Sequence, residues 1–460
     1  MNRGATPAIS QGRSRRWHIP PPLVHGREPL EGGAVLNEIR GTLGMLLWEI
    51  LRDVRLWVDT PAEARDGLFA PEAGSRRRTL IAAAEVPPVL AAPIRSIGRL
   101  LECADAISAE EIAAACAAVE SWAEDRGALE TALAFAQSRA LLCPFQPETA
   151  LAVARLAQRA GDHALAELWY RRAAGIARRA RAWKVYSHAF SGLGTLYRER
   201  GNLPSAHRYH LRALRGARRG GMGTEAAIAL HDLFGVAVEA GRKREARRYA
   251  REALAAYPRR SPRRAALAHD IAYLWMEEGD FARAEQIFRR VLPLMQHPVE
   301  RLWVAADLVR AAAGSGNEPV ALRMAERVRR ACEQPELASA AARALLEVAH
   351  GELQLRRWEA AAATARSALE LARARREGRV MLAAEAVVEA AERRRTVVAR
   401  QASPFAGPSP RRRKADDDTL AGELILSLRE LAGGSSGEMG IEAFEESTLM
   451  SLPPAEAGTL

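Results

Sequence analysis

Residues 190–213 read FSGLGTLYRERGNLPSAHRYHLRA, and this stretch decides the fold. Phe190, Leu193 and Tyr197 recur at three- and four-residue steps, the period of one helix face. Gly201 ends that run, because glycine accepts a left-handed backbone without steric cost. A second helical run follows. Its Ala206 and Ala213 are small enough to let two helix backbones cross closely. The stretch therefore predicts two antiparallel helices joined by a tight turn.

The same spacing recurs outward in both directions. Gly161 precedes Ala166 and Ala173, Gly241 precedes Ala246 and Ala253, Gly279 precedes Ala284, and Gly316 precedes Ala321. In every case the first alanine lies five residues after the glycine. A weaker unit with Gly127 and Ala132 comes before them. Another follows, with Arg356 in the glycine slot and then Ala361 and Ala368. The period is 34 residues at the start and 37–40 over the rest. One such pair cannot bury its own apolar face, whereas stacked neighbours can, so the repeat predicts a solenoid.

These residues resemble the tetratricopeptide repeat. The best unit is Phe190, Leu193, Gly194, Tyr197, Gly201, Ala206 and Ala213, with His210 where the family prefers an aromatic. In the unit of Gly279, Trp275 takes the tyrosine slot, with Phe281, Ala284 and Phe288 behind it. Ala166, Tyr170 and Ala173 match in the unit of Gly161. In the unit of Gly241 the late proline is Pro258 and Phe234 replaces a small residue. The resemblance covers roughly residues 113–399, in a variant of longer period than the usual 34. It implies an all-α, right-handed α-solenoid of stacked helix pairs. The expected organisation is a flexible leader over 1–33, a helical cap over 34–107, about seven helix pairs over 108–399, and a mostly disordered tail over 400–460. In the cap, Leu43, Leu46, Leu47, Ile50, Leu51, Val54 and Trp57 make one apolar face, and Thr60-Pro61 stops that helix. Further breaks are expected at Pro87-Pro88 and Pro93. In the tail, a short amphipathic helix is expected over 419–432 and the run Asp416–Asp418 is read as disordered.

Composition excludes several classes. The chain has 460 residues, 48% of them hydrophobic, which rules out wholesale disorder. The four cysteines, Cys103, Cys116, Cys143 and Cys332, show no CxxC pairing and no histidine at ligand spacing, and are read as small buried apolar groups. No stretch approaches eighteen uncharged apolar residues, and the first thirty residues are basic and proline-rich, so no membrane span or export signal is expected. A cytoplasmic location is the resulting expectation. HExxH and GxxxxGK[ST] motifs are absent, and the run Gly433–Gly437, which matches GxSxG, is a glycine-serine stretch read as a flexible joint. The glycine-rich Gly220–Gly223 reads as a loose loop between repeats. The region before residue 108 is short for a catalytic domain and lacks a clustered acid, base or nucleophile. No cofactor or metal is called for, and the chain is expected not to be an enzyme.

Charge is distributed unevenly. Residues 1–146 carry −2, residues 147–400 carry +18 and residues 401–460 carry −5, for a net +11. Arginine outnumbers lysine 64 to 3, a ratio that points more to coding bias than to selection for a nucleic-acid partner. Many arginines, among them Arg171, Arg172, Arg208, Arg212, Arg247 and Arg251, fall on second helices, with few aromatics interleaved in the sequence.

In the tetratricopeptide family the first helix of each pair lines the concave surface. Carried onto this chain, that places Arg155, Arg159, His188, Arg198, His231, His269, Tyr273, Arg310, Arg343 and His350 in the groove. His231 and His269 fall at one place in successive units and read as stacked imidazoles. The resemblance implies a scaffold that binds a protein or peptide in the groove, and guanidinium groups suit an acidic segment. The plainer reading is a partly exposed polar wall. A nucleic-acid-associated or transcription-regulatory protein using the arginine-rich repeats is the alternative. The acidic tail is further expected to dock on the basic repeats.

Overall fold

The turn at each repeat glycine is closed by the same two backbone bonds. The computed structural model describes residues 33–395 and 410–433. In it the Gly161 amide donates to the Gln158 carbonyl, and the Asp162 amide reaches back five residues to Ala157. Gly161 takes φ +83°, the left-handed conformation that this closure requires. Both bonds recur at Gly201-Asn202, Gly241-Arg242, Gly279-Asp280 and Gly316-Asn317. Asp162, Asn202 and Asp280 then accept from the amide three residues on, so the residue leaving one helix caps the next. Arg356 makes the same closure at φ +60° without a glycine. Gly221 closes likewise, so Gly220–Gly223 is a tight turn and not a loose loop.

The described residues hold twenty α-helices and no strand. The first four are α1 (Gly33–Glu38), α2 (Gly41–Asp59), α3 (Ala73–Ala83) and α4 (Pro88–Gly98). Helix pairs follow: α5 (Ala109–Asp125) with α6 (Leu129–Leu142), α7 (Pro147–Arg159) with α8 (His163–Ala180), and α9 (Trp183–Glu199) with α10 (Leu203–Arg219). Next are α11 (Gly223–Glu239) with α12 (Lys243–Ala256), α13 (Arg263–Glu277) with α14 (Phe281–Val291), α15 (Pro298–Ser315) with α16 (Glu318–Cys332), and α17 (Ala338–Gln354) with α18 (Trp358–Arg375). α19 (Gly378–Glu392) and α20 (Pro410–Leu431) complete the order. The chain divides into two compact units, Met1–Glu225 and Ala226–Leu460.

In the first unit α5 packs on α6, α6 on α7, α7 on α8, α8 on α9 and α9 on α10. The crossing alanines Ala132, Ala166, Ala173, Ala206 and Ala213 are fully buried. Gly192 and Gly194 lie against the rings of Tyr170 and His210, where an added Cβ would come within 2.3 and 2.4 Å. The apolar face of α2 is buried as its spacing predicts, and Trp57 Nε1 donates to the Ala104 carbonyl at 2.6 Å. Glu38 at the end of α1 accepts from the amides of Glu130 and Thr131, capping α6 and joining these early helices to the first repeat pair. Thr60 ends α2 as expected. Pro93, by contrast, does not break the chain and lies inside α4. The carbonyl it leaves without an amide partner belongs to Val89, a residue that is mostly exposed and so open to water.

In the second unit α13 packs on α14, α14 on α15, α15 on α16 and α17, and α17 on α18 and α19. Ala246, Ala253, Ala284, Ala361 and Ala368 are fully buried, as are Phe288 and Trp275. The helix expected over 419–432 runs from Pro410, so Asp416–Asp418 are helical and not a disordered run. Of the four cysteines only Cys116 is fully buried; the others are partly exposed, and all are free thiols. The leader up to residue 32 and the acidic end with Glu442, Glu445 and Glu446 lie outside the described residues.

Candidate protein-interaction site

The first helices of the second unit carry a connected polar ladder. On α13, Asp270 accepts from both neighbouring histidines: His231 of α11 through Nε2 at 2.8 Å, and His269 through Nδ1 at 2.9 Å. His269 Nε2 reaches Asp307 Oδ2 on α15 at 2.8 Å. Arg343 of α17 lies 3.9 Å from the same oxygen and stacks over the Trp303 ring at 4.7 Å. One turn further along, Arg310 lies between Glu277 at 2.8 Å and Glu347 at 3.0 Å. The Tyr273 hydroxyl donates to Glu347 at 3.5 Å. His231 and His269 are therefore not stacked on each other; a carboxylate stands between them.

The protonation states follow from these bonds. Both ring nitrogens of His269 face carboxylates, and only the imidazolium has two N–H donors. Burial alone would lower its pKa, but the bonds to Asp270 and Asp307 outweigh burial and raise it to about 9. Burial would raise Asp270, but the two histidines hold it well below the usual carboxylate range. Glu347 and then burial push the Tyr273 phenol up. Burial works against the charge on Arg310, yet Glu347 and Glu277 raise its pKa further. His350 is pushed down, chiefly by burial. Asp307 has a side chain only 1% exposed, and its Oδ1 has no hydrogen-bond partner. Asp270 and Glu277 are each 47% exposed and Arg343 37%.

Of the ten residues read from sequence as groove-lining, six fall on or beside this ladder: His231, His269, Tyr273, Arg310, Arg343 and His350. The other four lie in the first unit. Arg155 and Arg159 of α7 both pair with Glu124 of α5. His188 and Arg198 are half-buried on α9. The reading missed Asp270, Glu277, Asp307 and Glu347. Their signal was present in the repeat register: Asp307 follows Asp270 by 37 residues and Glu347 follows Arg310 by 37. The omission matters, because these carboxylates occupy the cations that were read as anion anchors.

Positive charge collects on the second helices instead. In the second unit α12, α14, α16 and α18 sum to +8, whereas α11, α13, α15, α17 and α19 sum to −6. The acidic stretch of α20 lies on this basic side. Arg247 of α12 makes a two-pronged pair with Asp417, at 2.6 and 3.0 Å, and also holds Glu278 at 2.6 Å. Arg283 of α14 bonds Asp418 at 2.6 Å, and Arg251 donates to the Asp416 carbonyl at 2.8 Å. Leu420, Leu424 and Leu428 are buried beneath the helix, and Arg264 donates to Ser427.

No protein-family model and no curated protein sequence matches the chain. Solved structures similar to it include the Rap protein complexed with competence and sporulation factor, at 13% identity over 75% of this chain and 99% of that one, with a TM-score of 0.44. PilF of Pseudomonas aeruginosa is 18% identical over 48% of this chain and 92% of that one, with a TM-score of 0.39. BtubC from P. vanneervenii is 22% identical over 49% and 91%, with a TM-score of 0.38. These are similarities in helical stacking. The helix pairs, their glycine turns and their alanine crossings are tetratricopeptide-like in construction. No helix among the described residues is long and apolar enough to cross a membrane.

Proposed function

We propose that the protein is a non-catalytic interaction scaffold that takes a protein or peptide segment along the first helices of its second unit. The ladder from His231 to Arg343 and Glu347 carries this reading. It places fixed donors and acceptors across the first helices of four successive pairs, and each is oriented by a neighbour before any partner arrives. Asp270, Glu277 and Arg343 offer both signs of charge to solvent. A segment of mixed charge, with backbone groups to pair, suits this surface better than a purely acidic one. An acidic segment finds its chemistry on the second helices, where α20 lies. No cofactor enters this reading.

The test is affinity capture from host lysate with the full chain and with an Asp270→Lys, Arg343→Glu variant of unchanged helicity. Proteins retained by the wild type and lost with the variant support the proposal. An identical set retained by both refutes it.

A further inference from the structure

We propose that the surface formed by α8, α9 and α10 in the first unit binds single-stranded nucleic acid, with arginines on phosphates and ring–guanidinium stacks on bases. Residues 163–222 carry thirteen basic and two acidic side chains, so this stretch alone equals the net +11 of the whole chain. One of the two acids, Glu167, is engaged by Arg171 and Arg200. On α10, Arg208, Arg212, Arg215 and Arg219 follow at three- and four-residue steps and are all exposed. They form one stripe about 16 Å long at 1.5 Å rise per residue, a length that spans a few phosphates of an extended strand. Guanidinium groups match phosphate oxygens two at a time.

Three of the four rings, Trp183, Phe190 and Tyr197, come from the neighbouring α9 and only Tyr209 from α10 itself, which is why linear sequence shows little interleaving. Phe190 of α9 stacks on Tyr209 of α10 at 6.0 Å, and Tyr197 lies 5.1 Å from Tyr209. Arg212 sits over both Phe190 and Tyr209, at 5.5 and 5.8 Å, and Arg219 over Trp183 at 4.9 Å. Arg171 reaches across from α8 to both tyrosine hydroxyls at 3.3 Å. Trp183, Tyr197 and Tyr209 are half-buried and keep part of each ring in solvent. Arginine and aromatic ring thus alternate in space over three helices, the combination that tracks a charged backbone while stacking its bases.

An acidic amphipathic helix is the competing occupant, and the second unit shows what that requires. There α20 buries Leu420, Leu424 and Leu428. On α8–α10 the one exposed large aliphatic side chain is Leu168. Such a helix would find no aliphatic bed, only ring faces interleaved with arginines, an arrangement that suits stacked bases and phosphates.

The experiment is fluorescence anisotropy of the full chain with labelled 20-mer oligo(dT), oligo(U) and a 20-base-pair duplex, between 50 and 300 mM salt. Single strands are expected to bind more tightly than duplex, with affinity falling steeply as salt rises. Arg208→Glu, Arg212→Glu, Arg215→Glu together should weaken binding at least about 30-fold and lower the salt slope by about 2. The corresponding Arg→Lys triple variant should keep most of the slope, which separates lost charge from lost folding. Tyr209→Ala should weaken binding about 5-fold or more with the slope unchanged. Arg323→Glu on α16 should have no effect. The proposal is overturned by absence of binding at 50 mM salt, by tighter binding of duplex, by an equal effect of Arg323→Glu, or by equally effective competition from polyglutamate. The last result would assign the surface to an acidic protein.

Discussion

Replacing Asp417 with alanine is expected to release α20 from α12–α14. Asp417 is 4% exposed and Arg247 8%, so their two-pronged pair is shielded from water. Breaking a buried pair by removing one partner costs about 3–5 kcal/mol, because the remaining charge stays buried. Glu278 still compensates Arg247 here, which brings the expected cost to the lower end, about 3 kcal/mol. That corresponds to roughly a 100-fold change in the docking equilibrium. Each of the three buried leucines contributes about 1.5–3 kcal/mol, so docking weakens without loss of the rest of the fold. Most helical stability in proteins comes from packing of the apolar face and not from propensity, so undocked α20 loses the main protection of its amide protons. Hydrogen exchange of the full chain should therefore show protection over 416–431 falling about 100-fold, with α15–α18 unchanged. The double variant Arg247→Met, Asp417→Leu should recover much of the protection, since well-packed apolar groups replace a buried pair at little cost. Protection that stays within about threefold of wild type in Asp417→Ala would show that the pair does not hold the helix.

Further consequences can be measured directly. The folded-state pKa of His269, about 9, lies above its ordinary 6.5, so its stabilisation is fully present below pH 6.5 and is lost as pH rises through about 9. The contribution is at most about 3 kcal/mol, and His269→Gln should remove that pH dependence from denaturant melts. Gly161→Ala should destabilise the first unit by about 1 kcal/mol, because Gly161 sits at φ +83°. Arg356→Gly should do the reverse in the second unit, gaining about 0.5–1 kcal/mol at φ +60°; a loss in that melt would mean that the arginine side chain outweighs the strain. Gly194→Ala drives a Cβ into the His210 ring and should cost about 1–3 kcal/mol in thermal unfolding.

The helix pairs were legible in the sequence because their causes are local. A left-handed glycine, a capping Asp or Asn after it, and an alanine five residues on all act within one turn of chain, so spacing alone reveals them. The early helices were legible for the same reason, through the three- and four-residue steps from Leu46 to Trp57. Pro93 was misread because its effect depends on whether water can reach the freed carbonyl, which is a tertiary fact.

The sequence by itself determined the repeat, its register and the excess of arginine. Only the tertiary structure decided what each charge faces. Arg310 read as a groove guanidinium for an acidic segment until Glu347, 37 residues away in sequence, came to 3.0 Å. Asp417 read as disordered until Arg247, 170 residues earlier, met it at 2.6 Å. Arg212 read only as one of many arginines on second helices until Phe190 of the preceding helix came under its guanidinium. The physical reason is range. Helix periodicity is set by neighbours along the chain, whereas an ion pair or a ring stack is worth little until packing brings its partners within a few ångströms and removes the water between them.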